Sequence, residues 1–494
     1  MRFAATIAAA LLAAAPAFAQ DRLTIVHVND LDRMEGTGDT GGVARLATVI
    51  ADVRAQGGTV LATSAGDSIS PSLLSNFDQG AHMISLLNMA GLDVMALGNH
   101  EFDFGPDITR ERIAEAEFTM LSNNAIEPDG TLVDGVAENM MVEVGEHMVG
   151  IFGLTTASTA VKSTPGDVTF GDPVEVAATT SAALREAGAD LVIALAHTDT
   201  GEDRALYNAG DIDLLLSGDD HDLVIEYDGN VAMVESGSQA SFVTVVTLDI
   251  ETVEGRRGPQ VEWQPAFDVI NTISVEPNAE IAAEVAKFED FLSTELDIEI
   301  GETPVMLDTR RTTVRAAESA FGNLTADAMR AETGADVVIT NGGGIRGDTT
   351  YEAGTMLTRR DVLTELPFGN KTVVLEVTGA DIRAALENGV SEIEDGGGRY
   401  PHVSGMTFSF DASKPAGERV TEVMIDGAPV DAEKTYLLAT SDFMGNGGDG
   451  YAMFADKPSI IEENAAELMA AQVMTAFENG AAVPVLDGRV TQAE

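Results

Sequence analysis

The sequence predicts an α/β protein of two domains joined by a helix, and three observations lead to this fold. Short apolar runs alternate with helical stretches through the first half, which is typical of layered and largely parallel sheets. Apolar residues then recur at helical spacing between Asn278 and Leu296, as expected for one connecting helix. A second region with the same αβ character follows, from about Gly301 to Val490.

The strands of the first half are predicted from apolar runs that end in polar residues. These runs cover residues 23–28, 59–63, 94–97, 149–154, 190–196 and 213–216. An amphipathic helix is expected to reach Arg54, and a second helix is expected around His82 to Met89. Because helices often separate the runs, we expect mainly parallel pairing.

The connecting helix is predicted from five apolar residues on one face. They are Ile281, Val285, Phe288, Leu292 and Leu296. The stretch before it, Trp263 to Pro277, contains several helix and strand breakers, so we expect little regular structure there. The predicted domains therefore span 22–272 and 301–490, with the linker helix at 273–300.

The composition excludes some classes of partner. Asp and Glu number 81 against 28 Lys and Arg, which gives a formal net charge of -53. A polyanion repels nucleic-acid backbones and anionic membrane surfaces, so we expect no nucleic acid duplex as a partner. The acidic residues are spread along the chain, which is typical of a solvated surface rather than of a binding tail.

The N-terminal residues are typical of a secretory signal. The chain opens with Met1-Arg2, an apolar run reaches Ala15, and an Ala-x-Ala cleavage site ends at Ala19. The run is shorter than the ~20 residues that a membrane span needs. We therefore expect a signal peptide at 1–19, no membrane anchor, and a periplasmic or secreted protein. Cysteine is absent, so no disulfide can stabilise the exported chain.

Carboxylates, imidazoles and an amide follow one strand after another. They are Asp30, Asp32, Asp67, Asn99, His197, Asp219 and His221. The carboxyl ends of parallel strands meet at one edge of a sheet, so these side chains are expected to converge. Two-metal centres use such ligands, with one carboxylate bridging two divalent ions and a water between them as the nucleophile. Each residue alone is more typical of a cap or turn, but seven in chain order predict a metal site.

The hexapeptide at 98–103, Gly-Asn-His-Glu-Phe-Asp, adds an acid–base pair to this site. His100 is a proton carrier whose unperturbed pKa is about 6.5. Asp103 is close enough in sequence to orient the imidazole, as carboxylates do in other acid–base dyads. For this stretch alone, a polar turn after a strand is the alternative.

These motifs, with others from the second half, match one family in order. The motifs are Asn29-Asp30-x-Asp32, Gly66-Asp67, the hexapeptide 98–103, Ala196-His197, Gly218-Asp219-Asp220-His221, the stretch 318–324, Asn341 to Arg346, Leu366 to Gly369, and Asp442 to Tyr451. Together they resemble the calcineurin-like metallophosphoesterases, and more narrowly the bacterial 5′-nucleotidase / UDP-sugar hydrolase / 2′,3′-cyclic phosphodiesterase family. The resemblance covers nearly the whole mature chain. It implies a four-layer α/β metallophosphoesterase sandwich and a C-terminal α/β substrate-binding domain.

The resemblance also implies roles for the predicted metal site. Asp67 would bridge two divalent ions, and a hydroxide held by the metals would attack phosphorus in line. Asp30, Asp32 and His221 would complete the ligands of one ion. Asn99, His197 and Asp219 would complete the ligands of the other. His100 would stabilise the phosphoryl transition state or protonate the leaving oxygen, with Asp103 holding its tautomer.

Two positions depart from the family pattern. The family usually has Asp-x-His where Asp32 closes the first motif, and Gly-His-x-His where Asp219 stands. Carboxylates in place of imidazoles favour hard ions, so we expect Mn²⁺ or Mg²⁺ rather than Zn²⁺. A decayed, non-catalytic site is the alternative, but the retention of His100 and Asp103 argues against it.

The second half is predicted to bind the substrate. Three glycines between Asn341 and Arg346 let the backbone approach a ligand, and the guanidinium offers a planar fork. By resemblance, Asn341 and Arg346 contact the base and phosphate side. Phe368 and Phe443 sandwich the base, and Asp449 holds the ribose hydroxyls. Core packing is the alternative for each phenylalanine alone.

One phosphate contact differs from the family. An arginine often precedes the residue that corresponds to Glu318, but this chain has Ala317 there and Arg315 two residues earlier. We expect Arg315 to serve the phosphate, in an incomplete clamp that discriminates loosely among nucleotides.

The sequence therefore predicts an exported, metal-dependent phosphohydrolase of nucleoside 5′-monophosphates, acting as a monomer. By resemblance, catalysis requires domain rotation that brings a phosphate from Arg346 to His100. Within the class, the alternatives are a 2′,3′-cyclic nucleotide phosphodiesterase and a UDP-sugar hydrolase. Outside it, they are a non-catalytic periplasmic nucleotide-binding protein and a hydrolase of sulfur-oxidation intermediates. The last is disfavoured because the pair Phe368 and Phe443 suits a base.

Overall fold

The computed structural model describes residues 21–38, 40–256, 258–457, 459–460, 467–481 and 483–493. The predicted signal peptide at 1–19 lies outside the described residues. Within these ranges, no helix is both long enough and apolar enough to cross a membrane.

The N-terminal half contains fourteen strands and eight helices among its described residues. The strands are β1 (Asp21–Val28), β2 (Thr59–Ser64), β3 (Val94–Ala96), β4 (Thr119–Leu121), β5 (Ala125–Ile126), β6 (Met140–Val144), β7 (His147–Thr155), β8 (Thr169–Phe170), β9 (Leu191–His197), β10 (Leu214–Ser217), β11 (Leu223–Tyr227), β12 (Ala232–Ser236), β13 (Phe242–Gly255) and β14 (Gly258–Asn271). The helices are α1 (Val43–Arg54), α2 (Ser75–Asp78), α3 (Ala81–Ala90), α4 (Pro106–Glu115), α5 (Thr159–Lys162), α6 (Pro173–Glu186), α7 (Thr200–Ala209) and α8 (Ala279–Leu296).

Two six-stranded sheets form the centre of this half, with strand orders β14-β13-β1-β2-β3-β4 and β11-β12-β10-β9-β7-β6. Side chains alternate across β1, so Leu23 and Ile25 enter the core between the sheets. Val26 and Val28 face the other way, into the core beneath α1 and α3. A further core lies beneath α6 and α7 on the second sheet. The four-layer arrangement of helices, sheet, sheet and helices is therefore confirmed.

The pairing is mixed rather than wholly parallel. Strands β1 to β4 pair in parallel, as do β7, β9, β10 and β12. Antiparallel strands flank both groups: β13 and β14 in the first sheet, β6 and β11 in the second. The parallel strands are the ones whose carboxyl ends carry the predicted metal ligands.

The expectation of little regular structure from Trp263 is wrong. Residues up to Asn271 belong to β14, which pairs with β13 along its whole length. Pro265 is tolerated because β14 is an edge strand, where the missing N–H does not interrupt a ladder on both sides. Val261, Trp263 and Phe267 alternate along the strand and pack against the core between the sheets.

The predicted connecting helix is confirmed as α8. Asn278 caps it, because its side chain accepts hydrogen bonds from the backbone N–H groups of Glu280 at 3.0 Å and Ile281 at 3.2 Å. Its apolar face packs on the N-terminal core, where Ile281, Val285 and Leu292 are buried. The helix is thus fixed to the first domain.

The C-terminal half begins directly after α8. Its described strands are β15 (Glu299–Glu302), β16 (Leu307–Asp308), β17 (Val337–Asn341), β18 (Thr350–Tyr351), β19 (Met356–Thr358), β20 (Thr372–Thr378), β21 (Pro401–Ser404), β22 (Met406–Phe410), β23 (Val420–Ile425), β24 (Ala428–Pro429), β25 (Thr435–Ser441) and β26 (Val490–Gln492). Its described helices are α9 (Arg311–Val314), α10 (Ala320–Thr333), α11 (Arg359–Glu365), α12 (Gly379–Gly389), α13 (Asp442–Gly445), α14 (Ala452–Ala455) and α15 (Met469–Glu478). Two four-stranded sheets, ordered β20-β25-β17-β21 and β24-β23-β22-β26, form its centre. The glycine-rich stretch follows β17, and Phe443 follows β25.

Candidate active site

The strand ends of the N-terminal half converge as predicted. Asp30 follows β1, Asp67 follows β2, and His197 is the last residue of β9. All three are buried, and each offers a ligand atom within 4.8 Å of the others. This juxtaposition joins the two sheets, because β1 and β2 belong to the first and β9 to the second.

Asp219 and His221 complete the same cluster. His197 Nε2 lies 3.1 Å from Asp67 Oδ2 and 3.4 Å from Asp219 Oδ1. His221 Nε2 lies 3.2 Å from Asp30 Oδ1. In the absence of metal ions, burial lowers the pKa of His197, but Asp67 and Asp219 outweigh it and raise that pKa well above its usual value.

Asn99 adds an amide oxygen to the cluster. Its Oδ1 faces acceptor atoms only, with Asp219 Oδ1 at 3.0 Å and His197 Nε2 at 3.3 Å. Either a flipped amide or a cation between the three acceptors satisfies this arrangement.

Asp32 is buried beside the cluster, but its carboxylate is hydrogen-bonded by Gln239 and not by a histidine of the cluster. Its Oδ1 accepts a hydrogen bond from the Gln239 side chain, and burial raises its pKa. It lines a cavity together with Asp30, Asp67 and Arg346. The structure thus places Asp32 at the edge of the cluster, next to the C-terminal half.

The residues present fit divalent cations. Asp30 Oδ1 is buried and accepts no hydrogen bond within the described part of the chain, although His221 Nε2 is nearby. Apart from this imidazole, no group in the described part of the chain meets the buried oxygen, so a bound cation would stabilise it. Carboxylates, an amide oxygen and imidazoles form a donor set that suits Mn²⁺, Mg²⁺ or Zn²⁺.

His100 and Asp103 form the predicted pair. His100 Nδ1 lies 2.6 Å from Asp103 Oδ2, which leaves Nε2 at 3.9 Å from Asp67 Oδ2. Asp103 also accepts hydrogen bonds from the hydroxyls of Ser70 at 2.8 Å and Ser163 at 2.7 Å. Burial lowers the pKa of His100, but Asp103 and Asp67 outweigh it and raise that pKa to about 9. In the absence of metal ions, these two carboxylates therefore favour the protonated imidazole.

Glu101 has a role that sequence reasoning missed. Its buried carboxylate accepts hydrogen bonds from the backbone N–H groups of Gly98 at 2.6 Å, Asp67 at 2.9 Å and Ser68 at 2.7 Å. It therefore fixes the loop after β2 against the loop after β3. Its position within the hexapeptide was the only sequence signal, and backbone partners cannot be identified from side-chain patterns.

Two glycines let the loops approach this closely. A Cβ on Gly98 would lie 2.1 Å from Asp67 Oδ1, and one on Gly218 would lie 2.9 Å from both Asn29 Cβ and Asp30 Oδ2. Neither position can hold a side chain without displacing a predicted metal ligand.

The predicted substrate residues line one cavity of about 350 Å³ between the two halves. These residues are Arg315, Asn341, Arg346, Phe368, Phe443 and Asp449. Asp67, Asn99, His100 and Asp219 line the opposite wall. The structure thus brings both predicted sets of side chains to one space.

The contact between the halves is aromatic and cationic. Phe368 stacks on His100 with ring centroids 5.8 Å apart and an interplanar angle of 14°. The Arg346 guanidinium lies 5.3 Å from the Phe368 centroid, within cation–π range. The C-terminal half therefore reaches the acid–base pair in this conformation.

Guanidinium groups of like charge gather in the cavity. Arg311, which the sequence reasoning missed, lines it with Arg315 and Arg346. Burial and the two neighbouring guanidiniums lower the pKa of Arg315 to about 9. Arg315 Nε is buried without a hydrogen-bond partner among the described residues, and Nη1 reaches only Gly396 O, at 3.4 Å. A half-buried guanidinium with so few partners is suited to an anionic ligand.

Asp449 and Phe443 also line this cavity. Asn341 Nδ2 donates to Asp449 Oδ2 at 2.6 Å, and burial raises the pKa of Asp449. A Cβ on Gly448 would meet the Phe443 ring at 2.4 Å, so the turn packs closely against this ring. A hydrogen-bonding carboxylate beside an aromatic ring could recognise a sugar and a base.

Fold and site together define the class of protein: a two-domain α/β chain with an N-terminal metallophosphoesterase domain and a C-terminal domain. Comparisons with known proteins identify the family within this class. The family described as "5'-nucleotidase, C-terminal domain" matches residues 299–456. A snake venom 5′-nucleotidase from Crotalus adamanteus is 31% identical, over 90% of this chain and 84% of the relative. The chain belongs to the 5′-nucleotidase family and is a phosphoric ester hydrolase.

Two further relatives agree with this assignment. The trifunctional nucleotide phosphoesterase protein YfkN of Bacillus subtilis is 32% identical over 88% of this chain, and the chain spans only 32% of that relative's length. The crystal structure of a 5′-nucleotidase precursor from Thermus thermophilus superposes with a TM-score of 0.77 at 28% identity, covering 96% of this chain and 99% of that one.

Proposed function

We propose that the chain is an exported hydrolase that releases phosphate from nucleoside 5′-monophosphates with the help of two divalent metal ions. One observation carries this proposal. The half-buried guanidiniums of Arg315 and Arg346 on the C-terminal half face a carboxylate and imidazole cluster across one cavity, in a chain with 81 acidic and 28 basic residues. Cations concentrated there, on so acidic a chain, favour a phosphate ligand.

Asp67 is proposed to bridge the two ions. Asp30, Asp32 and His221 would complete one ligand set, and Asn99, His197 and Asp219 the other. When bound, such ions supply Lewis acidity and activate the attacking water.

The protein's own side chains would position the phosphate and move the proton. Arg346 and Arg315 bind the phosphoryl oxygens and orient the ester for in-line attack. His100, held by Asp103 through Nδ1, donates a proton from Nε2 to the leaving ribose oxygen. Phe368 and Phe443 hold the base, and Asp449 accepts hydrogen bonds from the ribose hydroxyls.

Phosphate release from a small panel tests this function. AMP, 2′,3′-cyclic AMP and UDP-glucose are each offered to the protein with a defined metal. We expect the fastest release from AMP. If only the cyclic nucleotide or the sugar nucleotide is hydrolysed, that compound is the substrate instead, and the protein is still a phosphoric ester hydrolase. Tight AMP binding without phosphate under any metal would support a nucleotide-binding protein instead.

Metal preference is a separate prediction. Protein stripped with a chelator is expected to recover more activity with Mn²⁺ or Mg²⁺ than with Zn²⁺. Asp32 and Asp219 supply hard oxygen ligands, which favour the harder ions. Recovery is measured as phosphate release from AMP at equal free-metal concentrations. Equal or better recovery with Zn²⁺ would contradict the prediction.

A further inference from the structure

We propose that Lys162 is a positioning residue that acts through Asp219 to set the charge of the metal site, and thereby both metal affinity and turnover. Lys162 Nζ lies 3.0 and 3.2 Å from the two carboxylate oxygens of Asp219. Asp219 is the one predicted metal ligand that forms an ion pair with a lysine or arginine in the described part of the chain. The inference rests on the proposed function.

Asp219 is the fixed member of the pair, whereas the Lys162 side chain is 38% exposed. Asp219 adopts a left-handed backbone conformation with φ 86°, and its N–H donates to Asp30 Oδ2 at 3.2 Å. Its side chain is only 11% exposed, so the ammonium is a major counter-charge within reach. Lys162 ends α5, which contacts the turn Gly448–Gly450 of the C-terminal half. Lys162 is thus placed where the two halves meet.

Charge balance gives this pair its consequence. Four carboxylates, those of Asp30, Asp32, Asp67 and Asp219, cancel the charge of two divalent ions. The metal ions and their four carboxylates would then carry no net charge, and attraction of a phosphate ester would depend on other cations nearby. With the ammonium of Lys162 included, the cluster has a net charge of one positive unit. A neutral ligand in place of Asp219 would give the metal ions and their ligands the same net charge. Lys162 also lines the cavity with His100 and Arg315, so its charge acts on the substrate as well.

The sign of each change follows from this balance. Removing the ammonium leaves the site more negative, so it should hold cations more tightly and phosphate less well. Replacing Asp219 with a neutral imidazole while the ammonium remains leaves the site more positive, so cations should bind more weakly. Making both changes restores the original net charge.

A double-mutant cycle tests the inference. Mn²⁺ is titrated into metal-stripped wild type, Lys162→Met, Asp219→His and the double variant by calorimetry, and phosphate release from AMP is measured alongside. Partners behind metal ligands change affinity or activity by about 10–100-fold. We expect Lys162→Met to bind Mn²⁺ about tenfold more tightly and turn over about tenfold more slowly. Asp219→His should bind Mn²⁺ about tenfold more weakly, and the double variant should recover both properties.

Two controls separate charge from packing. Lys162→Arg keeps the charge and should retain most of the activity. Lys457→Met removes a lysine that pairs with Asp381 at 3.0 Å in the C-terminal half, and should behave as wild type.

The outcomes distinguish the two proposals. If Lys162→Met slows turnover equally in the wild-type and Asp219→His backgrounds and leaves Mn²⁺ affinity unchanged, Lys162 serves packing alone and the inference is overturned. If wild type is active and binds Mn²⁺ but the double variant turns over as slowly as Lys162→Met, the inference is overturned and the proposed function stands without it. If wild type neither binds Mn²⁺ nor releases phosphate, both proposals are overturned.

Discussion

Asp67→Asn is expected to abolish nearly all phosphate release. Asp67 Oδ2 lies 3.1 Å from His197 Nε2, and its ligand atom is within 4.8 Å of those of Asp30 and His197. The amide keeps the shape but loses the charge and the second anionic oxygen that a bridge requires. A catalytic metal ion supplies several kcal/mol of transition-state stabilisation, so the loss should be about 10³-fold or more. Phosphate release from AMP and the number of Mn²⁺ ions bound per chain measure it.

The variant is expected to fold. Asp67 has φ 54°, a left-handed conformation that asparagine adopts as readily as aspartate. Glu101 holds the loop through backbone N–H groups, which the substitution leaves in place. Asp426→Asn is the matched control, because Asp426 has φ 53° in an exposed turn and should keep full activity. If Asp67→Asn retained its bound Mn²⁺ and most of its activity, Asp67 could not be the bridging ligand.

The parts of the fold that depend on local pattern were predictable. Apolar runs locate the strands because burial on both faces demands them, and α8 has apolar residues at helical spacing. Strand β14 was not predictable in this way. Its alternation is interrupted by Pro265, and only its position at the sheet edge makes that residue harmless. An edge position depends on strand order, which no local pattern contains.

The same distinction holds for the site. The predicted ligands follow strands, so a topological rule alone brings them together. Glu101, Gln239 and Lys162 could not be found this way, because their partners are backbone amides or distant carboxylates. Gln239 lies 207 residues from Asp32 in the chain and reaches it only after folding. Such supporting residues need coordinates, whereas ligands at strand ends need only the order of the elements.

His100→Ala is expected to lower turnover about 10²–10⁴-fold, the contribution of one positioned acid–base group. The predicted metal ligands and the nucleotide-binding residues stay in place, so Mn²⁺ and AMP should still bind. The substitution removes the imidazole that lies 3.9 Å from Asp67 Oδ2, together with its contacts to Asp103 and Phe368. Calorimetry with AMP, beside phosphate release, separates this loss of chemistry from a loss of binding.

A pH profile of activity tests whether His100 is the acid. Asp103 and Asp67 raise its pKa to about 9 against the effect of burial, so the proton is present at neutral pH and is lost as pH rises. Bound metal cations disfavour the protonated, positively charged imidazole of His100, so they move the pKa of His100 below 9. Wild type should therefore lose activity as pH rises through this pKa, and His100→Ala should lack this alkaline limb. Asp103→Asn removes the stabilising charge, so it should shift the limb to lower pH. An unchanged limb in His100→Ala would assign the proton to another group.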